Sequence, residues 1–396
     1  MLFFIYALLF PDKILNFKGV HRKNARVMTS KALLTELLSH ADIRINGDRP
    51  WDIQIHDDRT YRRILGGGIL AVGESYMDGW WDAERLDETI NKALRADLPS
   101  RIRHDWRTLL FILRTRIFNL QTPGRSHQVS REHYDLGNDL YEAMLDKRMN
   151  YTSAYWKDAD TLDEAQENKL ELVCRKTLLS PGKKVLELGC GWGGFARYAA
   201  EKYGVEVTAY NISTEQVKLA RERTRGLPVA IVQEDYRRAT GTYDAVISIG
   251  IMEHVGYRNY RTYMEVVDRC LAADGIALIH TIGGNVSTTH TNPWTDKYIF
   301  PNGMLPSVAQ LARSMEGLFV FEDLHNFGPD YDRTLMAWYD NFEKAWPRLR
   351  ERYGERFHRM WKFYLLSAAG GFRARSNQLF QIVMTRPGRE QPPRIC

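Results

Sequence analysis

Apolar runs rich in Val, Ile and Leu recur at residues 183–188, 205–212, 229–234, 243–249 and 275–282, with helix-like stretches between them. Runs that are apolar throughout suit strands buried on both faces. Their alternation with helices predicts an α/β fold with a parallel, doubly wound sheet over about residues 131–390. Two later runs, 318–323 and 378–385, follow the last helical patterns and predict a hairpin at the sheet edge. Between residues 283 and 305 no period is visible, although Asn292-Pro293-Trp294 and the run from Tyr298 to Gly303 stand out. A stretch of that length without regular structure is expected to serve function, here as a lid.

The first third of the chain reads differently. Residues 32–38 have a helical pattern, and 43–46 and 51–55 alternate like strands. A glycine cluster at Gly66, Gly67, Gly68 and Gly73 precedes the aromatic and acidic run from Glu74 to Trp81. Residues 30–100 are therefore expected to form a smaller N-terminal α+β domain. In 101–130 a helix would align Ile102, Trp106, Leu109, Leu110, Leu113 and Ile117 on one stripe and Arg103, Arg107 and Arg114 on another, before a linker around Pro123 and Gly124. Two readings stand: a domain-packing helix with solvated arginines, or a helix lying on an anionic bilayer. Residues 1–29 read as an extension. Its apolar run from Met1 to Phe10 is too short to span a membrane, and it fits either a segment ahead of a start at Met28 or a membrane-touching anchor.

Composition narrows the classes. With 396 residues, 44% of them hydrophobic and 26% charged, the chain is globular and long enough for more than one domain. Its four cysteines, Cys174, Cys190, Cys270 and Cys396, have neither disulfide-framework nor metal-ligand spacing, so no metal site is expected and a reducing, cytoplasmic setting fits. A net charge of +6 is compatible with an anionic partner. That partner could be nucleic acid, a lipid headgroup surface or nothing specific, and charge alone does not choose among them, although no nucleic-acid-binding module is recognisable.

The sharpest local signal is Val185-Leu186-Glu187-Leu188-Gly189-Cys190-Gly191-Trp192-Gly193-Gly194, a strand running into a glycine turn and a helix. Glycines there let backbone approach a ligand at the carboxyl end of the first strand. A nicotinamide site would place an acid at the end of the next strand, where Tyr210-Asn211-Ile212-Ser213 stands instead, so S-adenosylmethionine suits it better.

Together with Gly73–Trp81, His133-Tyr134-Asp135-Leu136-Gly137-Asn138, Tyr151-Thr152-Ser153-Ala154-Tyr155-Trp156, Glu253-His254-Val255-Gly256 and His280-Thr281-Ile282-Gly283, these motifs resemble the cyclopropane-fatty-acyl-phospholipid synthase family over about residues 34–386. The resemblance implies a class I methyltransferase fold, unsaturated phospholipid as substrate, a membrane-associated homodimer at the inner face of the membrane, and bicarbonate at the reacting centre. Residues matching the family's bicarbonate site are Glu253, His280, Tyr331 and, through backbone, Ile282 and Ser153. Ser153 departs from the cysteine often found there, which excludes a thiol role. Strand-end order and the resemblance together place S-adenosylmethionine across Gly189, Gly191 and Gly193, with Asn211 and Gln216 near its ribose or amino-acid part and Asp235 and Tyr236 near its adenine. Taken singly, Glu253 and His254 could cap a helix, His280 could be a satisfied buried histidine, and at least half of Tyr155, Trp156, Tyr298, Phe300 and Trp338 are expected in the core. Alternatives to cyclopropanation are a methyl-branching lipid methyltransferase, transfer to a small-molecule amine, and a catalytically silent lipid-binding protein.

Overall fold

The computed structural model describes residues 29–98 and 137–395. The arginine stripe of 101–130, the motif residues His133 to Leu136 and the residues before 29 lie outside them.

The N-terminal part begins with α1 (Ser30–Ser39), capped by the Thr29 hydroxyl, which accepts from the Ala32 amide. Next come β1 (Gln54–Ile55), α2 (Arg59–Met77), β2 (Trp81–Asp82) and α3 (Leu86–Arg95). The strands expected at 43–46 and 51–55 shrink to the two-residue β1, antiparallel to β2, and a bridge between Ile45 and Ile53. Asp52 explains the difference. Its buried carboxylate accepts from the amides of Arg44 and Arg49, at 2.8 and 3.1 Å, and from the Arg49 guanidinium, so side-chain bonds stand where a ladder would have formed. The glycine cluster is absorbed into α2, which kinks at Gly68 (φ 55°, ψ −144°).

The larger part starts with α4 (Asn138–Met144) and α5 (Leu162–Lys176). There follow β3 (Lys184–Leu188), α6 (Gly194–Tyr203), β4 (Glu206–Tyr210), α7 (Thr214–Arg223), β5 (Val229–Val232) and β6 (Tyr243–Ile249). After these come α8 (Met252–Val255), α9 (Tyr260–Cys270), β7 (Leu271–Gly284), α10 (Pro293–Tyr298) and α11 (Val308–Met315). The chain closes with β8 (Val320–Asn326), the long helices α12 (Gly328–Tyr353) and α13 (Glu355–Arg373), and β9 (Asn377–Thr385). The seven-stranded sheet runs β5-β4-β3-β6-β7-β9-β8. Its first five strands are parallel, and β9 is antiparallel to both neighbours. All seven apolar runs are thus strands. The last two are neighbours without being a hairpin, because α12 and α13 connect them and β9 inserts between β7 and β8.

On β3, Val185 and Leu186 enter different apolar clusters on the two faces of the sheet, as a doubly covered strand requires. A further cluster contains Leu34, Trp81 and Leu86 from the N-terminal part together with Trp338, Trp361 and Phe363 from α12 and α13. The Phe363 ring lies 5.3 Å from Tyr76, 6.4 Å from Trp81 and 4.7 Å from Trp294. The N-terminal helices therefore share their core with the two long helices instead of enclosing one alone.

The aperiodic stretch 283–305 is ordered by the same core. Trp294 is buried and its indole N–H donates to Met77 Sδ at 3.3 Å, while Glu74 accepts from Lys297 Nζ at 2.7 Å and the Tyr298 hydroxyl at 3.0 Å. Gly73 makes room for this: a Cβ there would stand 2.3 Å from Trp294 Cδ1. Gly73→Ala is expected to destabilise the protein by about 1–2 kcal/mol, because overpacking costs about 1–3 kcal/mol and the better helix propensity of alanine returns only up to about 1 kcal/mol. Denaturant unfolding of parent and variant measures it; equal midpoints and slopes would refute the close-packing account.

Candidate active site

The carboxyl ends of β3, β4, β6 and β7 face a pair of cavities that meet at Tyr151, Thr152, Gly250 and His254, residues lining both. The position, beside β3 where the strand order reverses direction, is where doubly wound sheets bind ligands.

The smaller cavity, about 170 Å³, is bounded by the glycine turn. Gly189 has φ 86°, and a Cβ on it would collide with Ile251 Cδ1 at 2.0 Å; Gly191 has φ 51° and open space where a Cβ would stand. Both conformations favour glycine, and the open side of Gly191 is a cradle that a side chain would fill. Gly193 is different. It is the left-handed N-cap of α6, and a Cβ there would face Ala220 and Thr224, so it shapes the turn without lining the cavity. Asn211 lines the wall and donates from Nδ2 to the Gly191 carbonyl at 3.0 Å and to Gln216 Oε1 at 2.9 Å. Asp235 and Tyr236 stand at the far wall. The Asp235 carboxylate is turned to Arg237, accepting from its amide at 2.9 Å and its guanidinium at 2.8 Å. The Tyr236 hydroxyl is buried with no hydrogen-bond partner among the described residues, a group that a ligand would satisfy. Glu187 is buried with Oε2 likewise unpaired, and burial pushes its carboxyl up. These features fit an elongated ligand with polar ends.

The larger cavity, about 430 Å³, is walled by aliphatic side chains of the N-terminal part, among them Leu34, Leu38, Ile53 and Ile90, and by Phe363 and Tyr364 of α13. At its polar end are Ser153, Glu253, His280, Ile282 and Tyr331. Register brings two of them together: Ile249 at the end of β6 pairs with His280 on β7, and Glu253 opens α8 just beyond. Glu253 Oε1 accepts from the Ile282 amide at 2.6 Å, whereas Oε2 is buried and unpaired among the described residues. The Ile282 amide is thus engaged by Glu253 and is not presented to the cavity as a free donor. Burial raises the Glu253 carboxyl to about 7. At His280 the Gln381 amide nitrogen faces Nδ1 at 3.2 Å. With the amide in this orientation its nitrogen donates to Nδ1, which assigns the ring proton to Nε2, an atom without a hydrogen-bond partner among the described residues. Burial holds His280 well below its ordinary pKa, so the ring is neutral. His254, where the cavities meet, is likewise pushed down to about 4 by burial.

Tyr331, one turn into α12, packs 4.7 Å from Phe372 and edge-on to Trp338 at 5.8 Å. Ser153 is fully buried, its hydroxyl donating to the Ala154 carbonyl at 2.9 Å. Its loop is pinned to α12 by Thr334, which accepts from the Ala154 amide at 3.1 Å, and by Asp330, which accepts from the Trp156 amide at 2.8 Å. Of the five aromatics expected mostly in the core, Phe300 lines the larger cavity; Tyr155, Trp156, Tyr298 and Trp338 do not. The sequence reading did not single out Tyr151, Thr152, Lys169, Trp192 or Tyr364 as lining residues. Tyr151 and Thr152 lay inside a quoted motif; Lys169 and Tyr364 sit in helices with no local mark. Among the described residues no cluster could hold a metal ion, and no helix is long and apolar enough to cross a membrane.

Comparison with known proteins gives the family and the fold. The chain is 52% identical over 354 residues, 89% of it and 93% of the relative, to the cyclopropane-fatty-acyl-phospholipid synthase of Escherichia coli strain K12. It is 32% identical over 357 residues to the tuberculostearic acid methyltransferase of Mycobacterium tuberculosis, covering 84% of this chain and 82% of that one. A mycolic acid cyclopropane synthase solved with SAH and CTAB superposes with a TM-score of 0.62 at 27% identity, over 66% of this chain and 98% of that one. Coclaurine N-methyltransferase, at 18% identity and a TM-score of 0.67 over 81% of this chain and all of that one, shares the fold. The profile of the mycolic acid cyclopropane synthetase family matches residues 121–382, which span the glycine turn, Glu253, His280 and Tyr331, and to that family the chain belongs.

Proposed function

We propose that the chain moves a methyl carbon from S-adenosylmethionine to the cis double bond of an unsaturated phospholipid acyl chain and closes a cyclopropane ring. The observation that carries this reading is the meeting of two cavities, one glycine-walled and one apolar, beside the buried Glu253 and His280. The name of the 52% identical relative points the same way. S-adenosylmethionine, when bound, supplies an electrophilic sulfonium methyl. Gly189, Gly191, Asn211, Gln216, Asp235 and Tyr236 would hold it, with Gly193 shaping the turn. The alkene forms the new carbon–carbon bond as the carbon–sulfur bond breaks, leaving a carbocation on the acyl chain. Loss of one proton from the new methyl then lets the ring close. The aliphatic walls exclude water that would otherwise trap the cation, and the neutral His254 and His280 add no positive charge beside it.

Removal of the proton needs an acceptor. Glu253 Oε2 and His280 Nε2 are buried and unpaired among the described residues, and such groups cost about 1–3 kcal/mol each unless satisfied. They fit bicarbonate: His280 Nε2–H donates to an anion oxygen, and Glu253 accepts the hydroxyl. Tyr331 and the backbone at Ser153 complete the set, and Ile282 contributes by fixing Glu253. Bicarbonate, when bound, supplies a proton-accepting oxygen. The protein is further proposed to work as a homodimer on the inner face of the membrane, with Arg103, Arg107 and Arg114 against anionic lipid.

Labelled S-adenosylmethionine incubated with unsaturated phospholipid vesicles tests the reaction; ring-bearing lipid by mass spectrometry and NMR is expected, and a methyl branch or label in a water-soluble amine would overturn it. Glu253→Gln and His280→Ala are expected to lose at least about 100-fold in kcat with the S-adenosylmethionine Kd within about three-fold, since the lesion falls on the transition state. Full turnover in either variant removes that residue from the mechanism, and activity indifferent to bicarbonate depletion removes the ion.

The raised Glu253 pKa makes a separate statement about stability. Between about pH 4.5 and 7 the folded protein keeps a proton that the unfolded chain has released, so this group's stabilisation falls as pH rises through that window. Relative to Glu253→Gln, the parent should lose up to about 1.4 kcal/mol per pH unit there and nothing further above about pH 8. Denaturant curves at several pH values measure the difference, and parallel profiles would contradict it. For the membrane, each arginine near an anionic surface contributes about 1 kcal/mol. Replacing Arg103, Arg107 and Arg114 by alanine is expected to weaken vesicle sedimentation strongly at low salt and little at high salt; unchanged partitioning would return the segment to a packing helix.

A further inference from the structure

Lys169, on α5, has none of its surface exposed, an uncommon state for a lysine. Burial holds its ammonium below the ordinary lysine value, and the nearby Asp146 and Glu187 only partly oppose that shift. Asp146 and Glu187 balance its charge, but the hydrogen bond its Nζ makes goes to neither carboxylate. The Asp146 carboxylate is already filled, accepting from the amides of Arg148 at 2.9 Å and Asn150 at 2.7 Å and from the Asn150 side chain at 2.9 Å. Lys169 Nζ donates instead to Thr152 Oγ1 at 2.9 Å.

Thr152 stands at the wall common to both cavities. Its other contacts fix it from two more sides. Its carbonyl accepts from Gln166 Nε2 at 2.8 Å, and Gln166 lies one turn before Lys169 on the same helix face. Its Cγ2 stands 2.6 Å from where a Cβ on Gly250 would be, and the Gly250 amide donates to the His280 carbonyl at 2.8 Å. A hydrogen bond from a buried ammonium is therefore spent on orienting a threonine at the throat between the two reactants.

We infer that Lys169 is a positioning residue for methyl transfer: through Thr152 it fixes the wall where the cofactor and acyl cavities meet. The inference rests on the reaction proposed above. Transfer needs the two carbons in near-attack geometry, and small displacements of the wall between them lower the rate without removing either binding surface.

The test compares the full-length parent, Thr152→Val, Lys169→Met and the double variant on unsaturated phospholipid vesicles, counting label moved from S-adenosylmethionine to lipid. Each single change is expected to lower kcat about ten-fold with the S-adenosylmethionine KM within about three-fold. The double variant should be no slower than the slower single one, since both remove the same bond. Thr152→Ser, which keeps the hydroxyl, should recover most of what Thr152→Val loses. A Thr152→Val enzyme within about two-fold of the parent, or single effects that multiply in the double variant, would overturn the inference. Should Lys169→Met fail to fold, the contrast between Thr152→Val and Thr152→Ser decides by itself. Counting label instead of rings keeps the two readings apart: a parent that methylates lipid without closing a ring refutes the cyclopropane reading and leaves this comparison legible.

Discussion

The hydrogen bond from the Ile282 amide to Glu253 Oε1, 2.6 Å long and partly buried, ties the start of α8 to the end of β7. A carboxylate in so dry a place is tolerable only with partners, and this amide supplies one while the second oxygen stays open toward the larger cavity. The neighbouring strands complete the arrangement. Pairing of Ile249 with His280 sets the end of β6 beside β7, and Gln381 on β9, opposite His280, faces Nδ1 and leaves Nε2 without a partner among the described residues. Three adjacent strands thus fix two polar atoms at one end of a largely apolar chamber.

That chamber exists because the N-terminal helices do not close on themselves. Leu34, Leu38 and Ile53 wall it from one side, Phe363 and Tyr364 from another, and Trp294, seated in the notch of Gly73, brings the 283–305 segment over it. Dryness then governs the chemistry available. Burial keeps His254 and His280 neutral and makes Glu253 reluctant to ionise. In the proposed reaction these rings would add no positive charge beside the cation, and Glu253 would hold the proton acceptor instead of being it. The same low polarity explains why Lys169 is informative: a buried ammonium has few partners to choose from, and the one it takes stands at the throat.

The seven strands, the glycine turn and the position of Glu253 just after a strand were legible in the sequence, because period and turn chemistry are local properties of the chain, whereas His280, expected after a strand, lies within β7. Gly189 and Gly191 announce themselves through conformations that other residues rarely adopt, and the family motifs marked Ser153 and Tyr331. What local pattern misread was decided elsewhere. Asp52 drew amides away from a strand ladder, and two long helices separated what looked like a hairpin. The closeness of Gly193 to Ala220 and Thr224, the capture of the Ile282 amide by Glu253 and the shared core of the N-terminal helices with α13 all depend on partners far along the chain. So does the role of Lys169 or Tyr364, each an ordinary helical residue until packing removes its water. The sequence by itself determined the elements and the chemistry stationed at their ends, since both follow from short-range sterics and spacing. Only the tertiary structure decided which polar atoms are left unpaired in the dry interior, because that depends on every distant group able to reach them.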